Sequence, residues 1–116
     1  MLFRSFFLEG LIAQASENQT KAQAIVTLYQ SMRTQVADLT HSEHAARAVE
    51  FLFRVPVFAT TAFSVGAGIP RKAAERFIPL LRKARILSDV RPAAGNRAAV
   101  VAFNELLDIA DGGSPL

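Results

Sequence analysis

The sequence predicts a mainly α fold: a winged helix-turn-helix with a three-helix core and a two-stranded β wing, preceded by a long N-terminal helix or helical hairpin. Three observations carry this. From Ala22 to Leu39 the apolar residues recur every three or four positions, as they do along one side of a helix packed on another. A short apolar stretch, a turn marked by Gly66 and Gly68, and a longer basic stretch from Arg71 to Arg85 then follow one another. Finally, two short apolar runs flank Pro92-Ala93-Ala94-Gly95-Asn96, the composition of a β-hairpin. The chain divides accordingly into a helical arm and dimerisation segment at 1–40, the winged helix-turn-helix at 41–110, and a disordered tail at 111–116.

Each element has its own signals. Residues 2–39 contain no proline and a single glycine, Gly10. The polar stretch Ser16-Glu17-Asn18-Gln19-Thr20 leaves open whether they form one helix or two. The seam reads Ala22, Ile25, Tyr29, Met32, Val36, Leu39. Thr40 and Glu43 have capping-box spacing for the next helix, with Ser42 as a competing cap. That helix carries Ala45, Val49, Leu52 and Phe53 on one face and ends at Pro56, which can supply no backbone donor. Thr60 or Thr61 can cap a short helix bearing Ala62, Phe63 and Val65. Pro70 suits the first position of a new helix. From Arg71 to Arg85, Ala73, Ala74, Phe77, Ile78, Leu80, Leu81 and Ala84 form an apolar side opposite Arg71, Lys72, Glu75, Arg76, Pro79, Arg82 and Lys83. Pro79 lies in the interior and predicts a kink. Ile86–Arg91 and Arg97–Phe103 read as the two wing strands. Asn104 can cap a last short helix with Leu106, Leu107 and Ile109.

Composition excludes several function classes. With no cysteine among 116 residues, disulfides and thiolate metal sites are ruled out, which fits a cytoplasmic protein. No run approaches the ~20 apolar residues that cross a bilayer. The first fifteen residues imitate a secretion signal, but Glu9 and Gly10 interrupt its apolar run. Net charge is +3, and it is unevenly placed: residues 71–97 hold eight bases against Glu75 and Asp89, whereas the remainder is acidic. One basic block on a near-neutral chain suits an anionic partner such as double-stranded DNA.

Within that block, Arg71, Lys72 and Arg76 occupy the first turns of the presumed recognition helix, where side chains meet the major groove. Arg82, Lys83 and Arg85 lie further along and suit backbone phosphate. Arg91, Asn96 and Arg97 fall at the wing, within reach of phosphate or the minor groove. Phe3, Phe6, Phe7 and Leu11, with Ile25, Tyr29 and Met32 of the seam, make a second set. So many large apolar side chains left in water would form a sizeable patch, so the sequence predicts a homodimer through the N-terminal helices. No catalytic, cofactor or metal site is predicted. His41 and His44 are three apart but lack ligands at matching spacing. No Gly-x-Ser-x-Gly elbow occurs. Ala94-Gly95-Asn96-Arg97 reads as turn chemistry rather than a phosphate cradle.

Two stretches resemble a known family. Phe6-Phe7-Leu8-Glu9-Gly10-Leu11-Ile12-Ala13-Gln14-Ala15 is similar to the segment that closes the catalytic domain of many Fic proteins. The stretch from Phe51 to Ile109, including Pro56-Val57, the glycine turn and the run from Asn96 to Ile109, resembles the winged-helix module that follows it. Fic proteins typically transfer AMP to a hydroxyl of a target protein, through a His-x-Phe-x-(Asp/Glu)-Gly-Asn-Gly-Arg motif that is absent from these residues. The resemblance therefore implies a non-catalytic C-terminal regulatory module, with DNA contact through the basic helix and wing. It also admits a pure protein-interaction or oligomerisation module partnering a Fic catalytic domain. A stand-alone winged-helix transcription regulator is the further alternative.

Overall fold

The periodic apolar stripe of the N-terminal half becomes a helix that the rest of the chain covers. A computed structural model describes residues 19–110. They form α1 (Gln19–Thr40), α2 (Ala45–Arg54), β1 (Val57–Ala59), a 3₁₀ turn (Thr60–Ala62) running into α3 (Phe63–Ala67), α4 (Arg71–Lys83), β2 (Ser88–Arg91), β3 (Val100–Ala102) and α5 (Asn104–Ala110). The chain is thus mainly helical with one small antiparallel sheet. The expectations for Phe3, Phe6, Phe7 and Leu11, and for the tail at 111–116, lie outside the described residues.

Helix α1 holds neither glycine nor proline, and its expected seam is its buried side. Ile25, Tyr29, Met32 and Val36 are buried, and Ala22 and Leu39 pack on the core from its edge. Ile25, Tyr29 and Met32, the part of the seam expected at a dimer contact, are 5%, 4% and 2% exposed within the single chain.

The capping box gives way. Thr40 belongs to the last turn of α1, where its buried hydroxyl donates to the Val36 carbonyl at 2.8 Å. His41 leaves the helix with φ +49 and donates its N–H to the Ala37 carbonyl. Ser42 is not the N-cap either: its Oγ accepts the His44 N–H at 3.0 Å in the turn before the helix, and the N-cap position falls to His44, which makes no side-chain capping bond. Helix α2 then buries Ala45, Val49, Leu52 and Phe53, as its spacing predicts, and also Ala48 and Phe51. It stops before Pro56, with the Val55 N–H closing on the Phe51 carbonyl.

Helix α3 ends in a left-handed glycine, Gly68, at φ +70. The Gly68 N–H donates to the Ser64 and Val65 carbonyls and the Ile69 N–H to Ser64, the paired bonds of a Schellman end. Two arginines of α2 secure this turn: Arg47 Nη1 donates to the Gly68 carbonyl at 2.9 Å and Arg54 Nη2 to Gly66 at 3.0 Å. Gly66 is needed for closeness rather than torsion. A Cβ built there would lie 2.2 Å from Phe51 Cε1.

Pro70 precedes α4 as its N-cap instead of its first residue, and α4 runs unbroken through Pro79 to Lys83. Pro79 sits on the exposed side, where water can satisfy the carbonyl that its missing N–H leaves open. Ala74, Phe77, Ile78 and Leu81 face the core. The helix ends in a second Schellman pair, Ile86 N–H to Leu81 and Arg85 N–H to Arg82, with Arg85 at φ +65 where glycine is usual.

The expected two-stranded wing is part of a three-stranded sheet. Strand β3 lies between β1 and β2 and is antiparallel to both. Bonds from the Thr60 N–H to Ala99 and from the Phe103 N–H to Pro56 extend the β1–β3 pairing at both ends. Strand β2 carries an irregularity between Asp89 and Arg91, which interrupts a sheet edge otherwise open to pairing. Helix α5 returns to α1, where Lys21 Nζ donates to the Ala110 carbonyl. Asn104 opens α5 with its amide donating to Ser88 Oγ, so β2 and α5 are tied.

Two aromatic clusters fill the interior, and both are rooted in α2. Phe53 meets Tyr29 and Phe103 edge-on, with centroids 5.2 and 5.3 Å away. Phe51 meets Phe58 at 4.9 Å and Phe63 at 5.5 Å, and Phe63 reaches Phe77 of α4. The Gly66–Phe51 contact yields a prediction. A methyl at Gly66 gains about 1 kcal/mol of helix propensity, but it must displace a ring held on several sides, and overpacking of this kind costs about 1–3 kcal/mol. Gly66→Ala should therefore lower the urea midpoint, and Phe51→Leu in the same chain should recover part of the loss. An unchanged midpoint for Gly66→Ala would contradict the close packing.

Candidate nucleic-acid interface

The cations of the basic block are sorted by helix geometry. Because Ala74, Phe77, Ile78 and Leu81 fix the inner side of α4, Lys72, Glu75, Arg76, Pro79 and Lys83 are turned to solvent, and all five are exposed. The first turn of α4 carries no carboxylate of its own. Pro70 provides no side-chain cap, and the first two residues of the helix are Arg71 and Lys72. The positive end of a helix dipole ordinarily attracts carboxylates, and placing cations there costs about 0.3–1 kcal/mol each. The last turn, with Arg82 and Lys83, follows the favourable rule.

The individual fates of the predicted residues differ, and Arg85 is taken up in the turn that ends α4. Arg71 Nε donates to Glu75 Oε2 at 3.1 Å on the open surface. Arg82 Nε donates to Asp89 Oδ1 at 3.0 Å, joining α4 to β2. Arg76 Nη2 donates to the carbonyl of Thr40 at 2.8 Å, and its guanidinium carbon lies 5.4 Å from the Phe77 ring centre. Lys72 and Lys83 are exposed and make no side-chain bond among the described residues.

At the wing, Arg91 is half-buried. Its Nη2 donates to the Ala98 carbonyl across the hairpin and its Nε is enclosed without an acceptor, so Arg91 braces the hairpin itself. Asn96 and Arg97 stand exposed at the tip. There Ala94 and Arg97 exchange both backbone bonds around Gly95 at φ +59, a two-residue loop with glycine where a primed turn requires it. Asn96 keeps a negative φ, so only the glycine uses the left-handed region. The structure thus presents Lys72, Arg76 and Lys83 on one helix face and Asn96 and Arg97 at one hairpin tip; Arg71 and Arg82 are paired with carboxylates, and Arg76 and Arg91 with backbone carbonyls.

An open groove of about 550 Å³ separates the 3₁₀ turn and α3 from α4. Thr60, Thr61 and Ser64 form one bank, Arg71, Glu75, Pro79 and Arg82 the other, with Ala74 and Ile78 between them. Val65 stands at its rim and is 87% exposed. The hydroxyl bank was not legible as a surface. Thr60 and Thr61 read as helix caps, but neither caps by its side chain. The Arg71–Glu75 pair, by contrast, was legible as an i,i+4 spacing.

His41 is exposed, and His44 Nε2 lies 3.8 Å from Glu43 Oε2. Among the described residues no group of three or more His, Cys, Asp or Glu is arranged to hold a metal, and no helix is long and apolar enough to cross a membrane. Compared with protein-family models, curated proteins and solved structures, the chain gives no match in any of the three.

The Arg82–Asp89 pair is testable by itself. Both side chains are partly solvated, so a double-mutant cycle on Arg82→Ala and Asp89→Ala should give a coupling of about 0.2–1 kcal/mol that shrinks in molar salt. A coupling of zero at low salt would mean that the bond does not hold β2 to α4.

Proposed function

We propose that residues 41–110 are a winged helix-turn-helix, the non-catalytic C-terminal module of a Fic-family protein, and that α4 and the β2–β3 hairpin contact double-stranded DNA. The observation that carries this is the start of α4: a helix end with no side-chain cap, two cations and no acidic residue in its first turn, and only the second-turn Glu75 paired with Arg71. Folding stability alone disfavours that arrangement, whereas a phosphate backbone is its natural complement. The order of elements supports the reading, because two helices joined by a tight turn precede a hairpin whose tip carries Arg97. The family assignment rests on the resemblance of Phe6–Ala15 and Phe51–Ile109. The same reading makes the chain cytoplasmic and self-associating through its N-terminal helices, with Phe3, Phe6, Phe7 and Leu11 among the residues expected at the contact.

A protein-interaction module is the second reading. It is favoured by the carboxylates that hold Arg71 and Arg82, and by Val65 beside the groove, since such a surface is closer to neutral and partly apolar. A salt titration separates the two. On the DNA reading, a mixed-sequence duplex binds at low salt, affinity falls steeply as salt rises, and Lys72→Ala and Arg97→Ala each flatten the logarithmic slope by about 1. Absence of binding at low salt rejects DNA contact in favour of a protein partner. Sedimentation of the same samples at two concentrations reads the assembly, and a strictly monomeric chain would reject the arm's role.

A further inference from the structure

We infer that Arg76 is the residue through which α4 distinguishes one base from another, and that the base is guanine. This rests on the DNA-contact reading above. Guanine offers two acceptors side by side on its major-groove edge, and a planar guanidinium meets both at once; an ammonium does not. Four conditions follow for such a residue: it must be an arginine, lie on the outward face of α4, be free of a carboxylate, and be held so that little freedom is lost on binding.

Arg76 alone satisfies them on α4. Lys72 and Lys83 face outward but lack the fork. Arg71 is held by Glu75 and Arg82 by Asp89, and both line the groove beside α3 instead of the outermost face. Arg76 is exposed and has no anionic partner among the described residues. One of its donors is fixed on the Thr40 carbonyl at 2.8 Å, and its plane lies by the Phe77 ring. The anchor itself is rigid, because Thr40 is 1% exposed and ties its own hydroxyl into α1. A guanidinium offers five N–H donors, so one bond to Thr40 leaves the rest of the fork for a base edge. The anchoring that caps the end of α1 also pre-orients the reading group.

The experiment selects bound sequences from a randomised duplex pool with the full chain, and measures affinity for the unselected pool across salt. Wild type should enrich a fixed guanine by about tenfold. Arg76→Lys, which keeps the charge and a donor for Thr40, should bind the unselected pool with the same salt slope but lose the enrichment. Lys72→Ala should weaken binding to all sequences and keep it. A second arm needs no variant: methylating guanine N7 of the selected duplex should bring wild-type affinity down to that of the unselected pool. Binding without guanine enrichment, enrichment that survives Arg76→Lys, or indifference to N7 methylation would overturn the inference and leave duplex contact standing. Failure of wild type to bind any duplex at low salt removes both.

Discussion

The structure depends on α2 being enclosed on two sides at once. Phe51 and Phe53 stand two residues apart and so point in nearly opposite directions around the helix. Phe53 joins α1 and the approach to α5 through Tyr29 and Phe103; Phe51 joins β1 and α3 through Phe58 and Phe63, and Phe63 passes the contact to α4. Burying one such side chain stabilises by about 1.5–3 kcal/mol, and edge-on ring pairs add about 0.5–1.5 kcal/mol. Gly66 lies against Phe51 with no space for a side chain between backbone and ring. That contact sets how near α3 lies to α2, and through the Gly68 turn it sets where α4 begins.

Given that placement, the direction of the basic face follows. The apolar stripe of α4 has one surface to lie on, so Lys72, Arg76 and Lys83 must face away from it. The chain then uses several of its remaining cations as struts. Arg47 and Arg54 hold the turn before α4, Arg82 holds β2 to α4, and Arg91 braces the hairpin. Counting basic residues along the sequence therefore overstates the unpaired charge at the surface.

Much of this was legible in the sequence, for reasons that can be stated residue by residue. The α1 seam, the stop at Pro56, the Gly68 turn and the hairpin around Gly95 follow from periodicity and from backbone restrictions that act locally. Strand β1 was not legible, since Val57-Phe58-Ala59 is too short to show alternation and becomes a strand only because β3 pairs with it. Thr40 and Glu43 had the spacing of a cap, but α1 ran on far enough to bury Thr40 in its own last turn. The seam of α1 shows in the sequence as a stripe, but the helices that lie against it do not; among the described residues these include α2, α4 and α5. The partition of cations into struts and free groups needs the third dimension altogether, as Arg82–Asp89 and Arg76–Thr40 show.

The proposed function requires the outward side of α4 and the tip of the β2–β3 hairpin to contact the same duplex. Amide NMR of the chain on addition of a mixed-sequence duplex at low salt tests it directly. Shifts should concentrate at Arg71, Lys72, Glu75 and Arg76 and at Gly95, Asn96 and Arg97, while α2 and α5 stay silent. Shifts gathered on α2 or α5, with α4 and the hairpin tip unmoved, would contradict it.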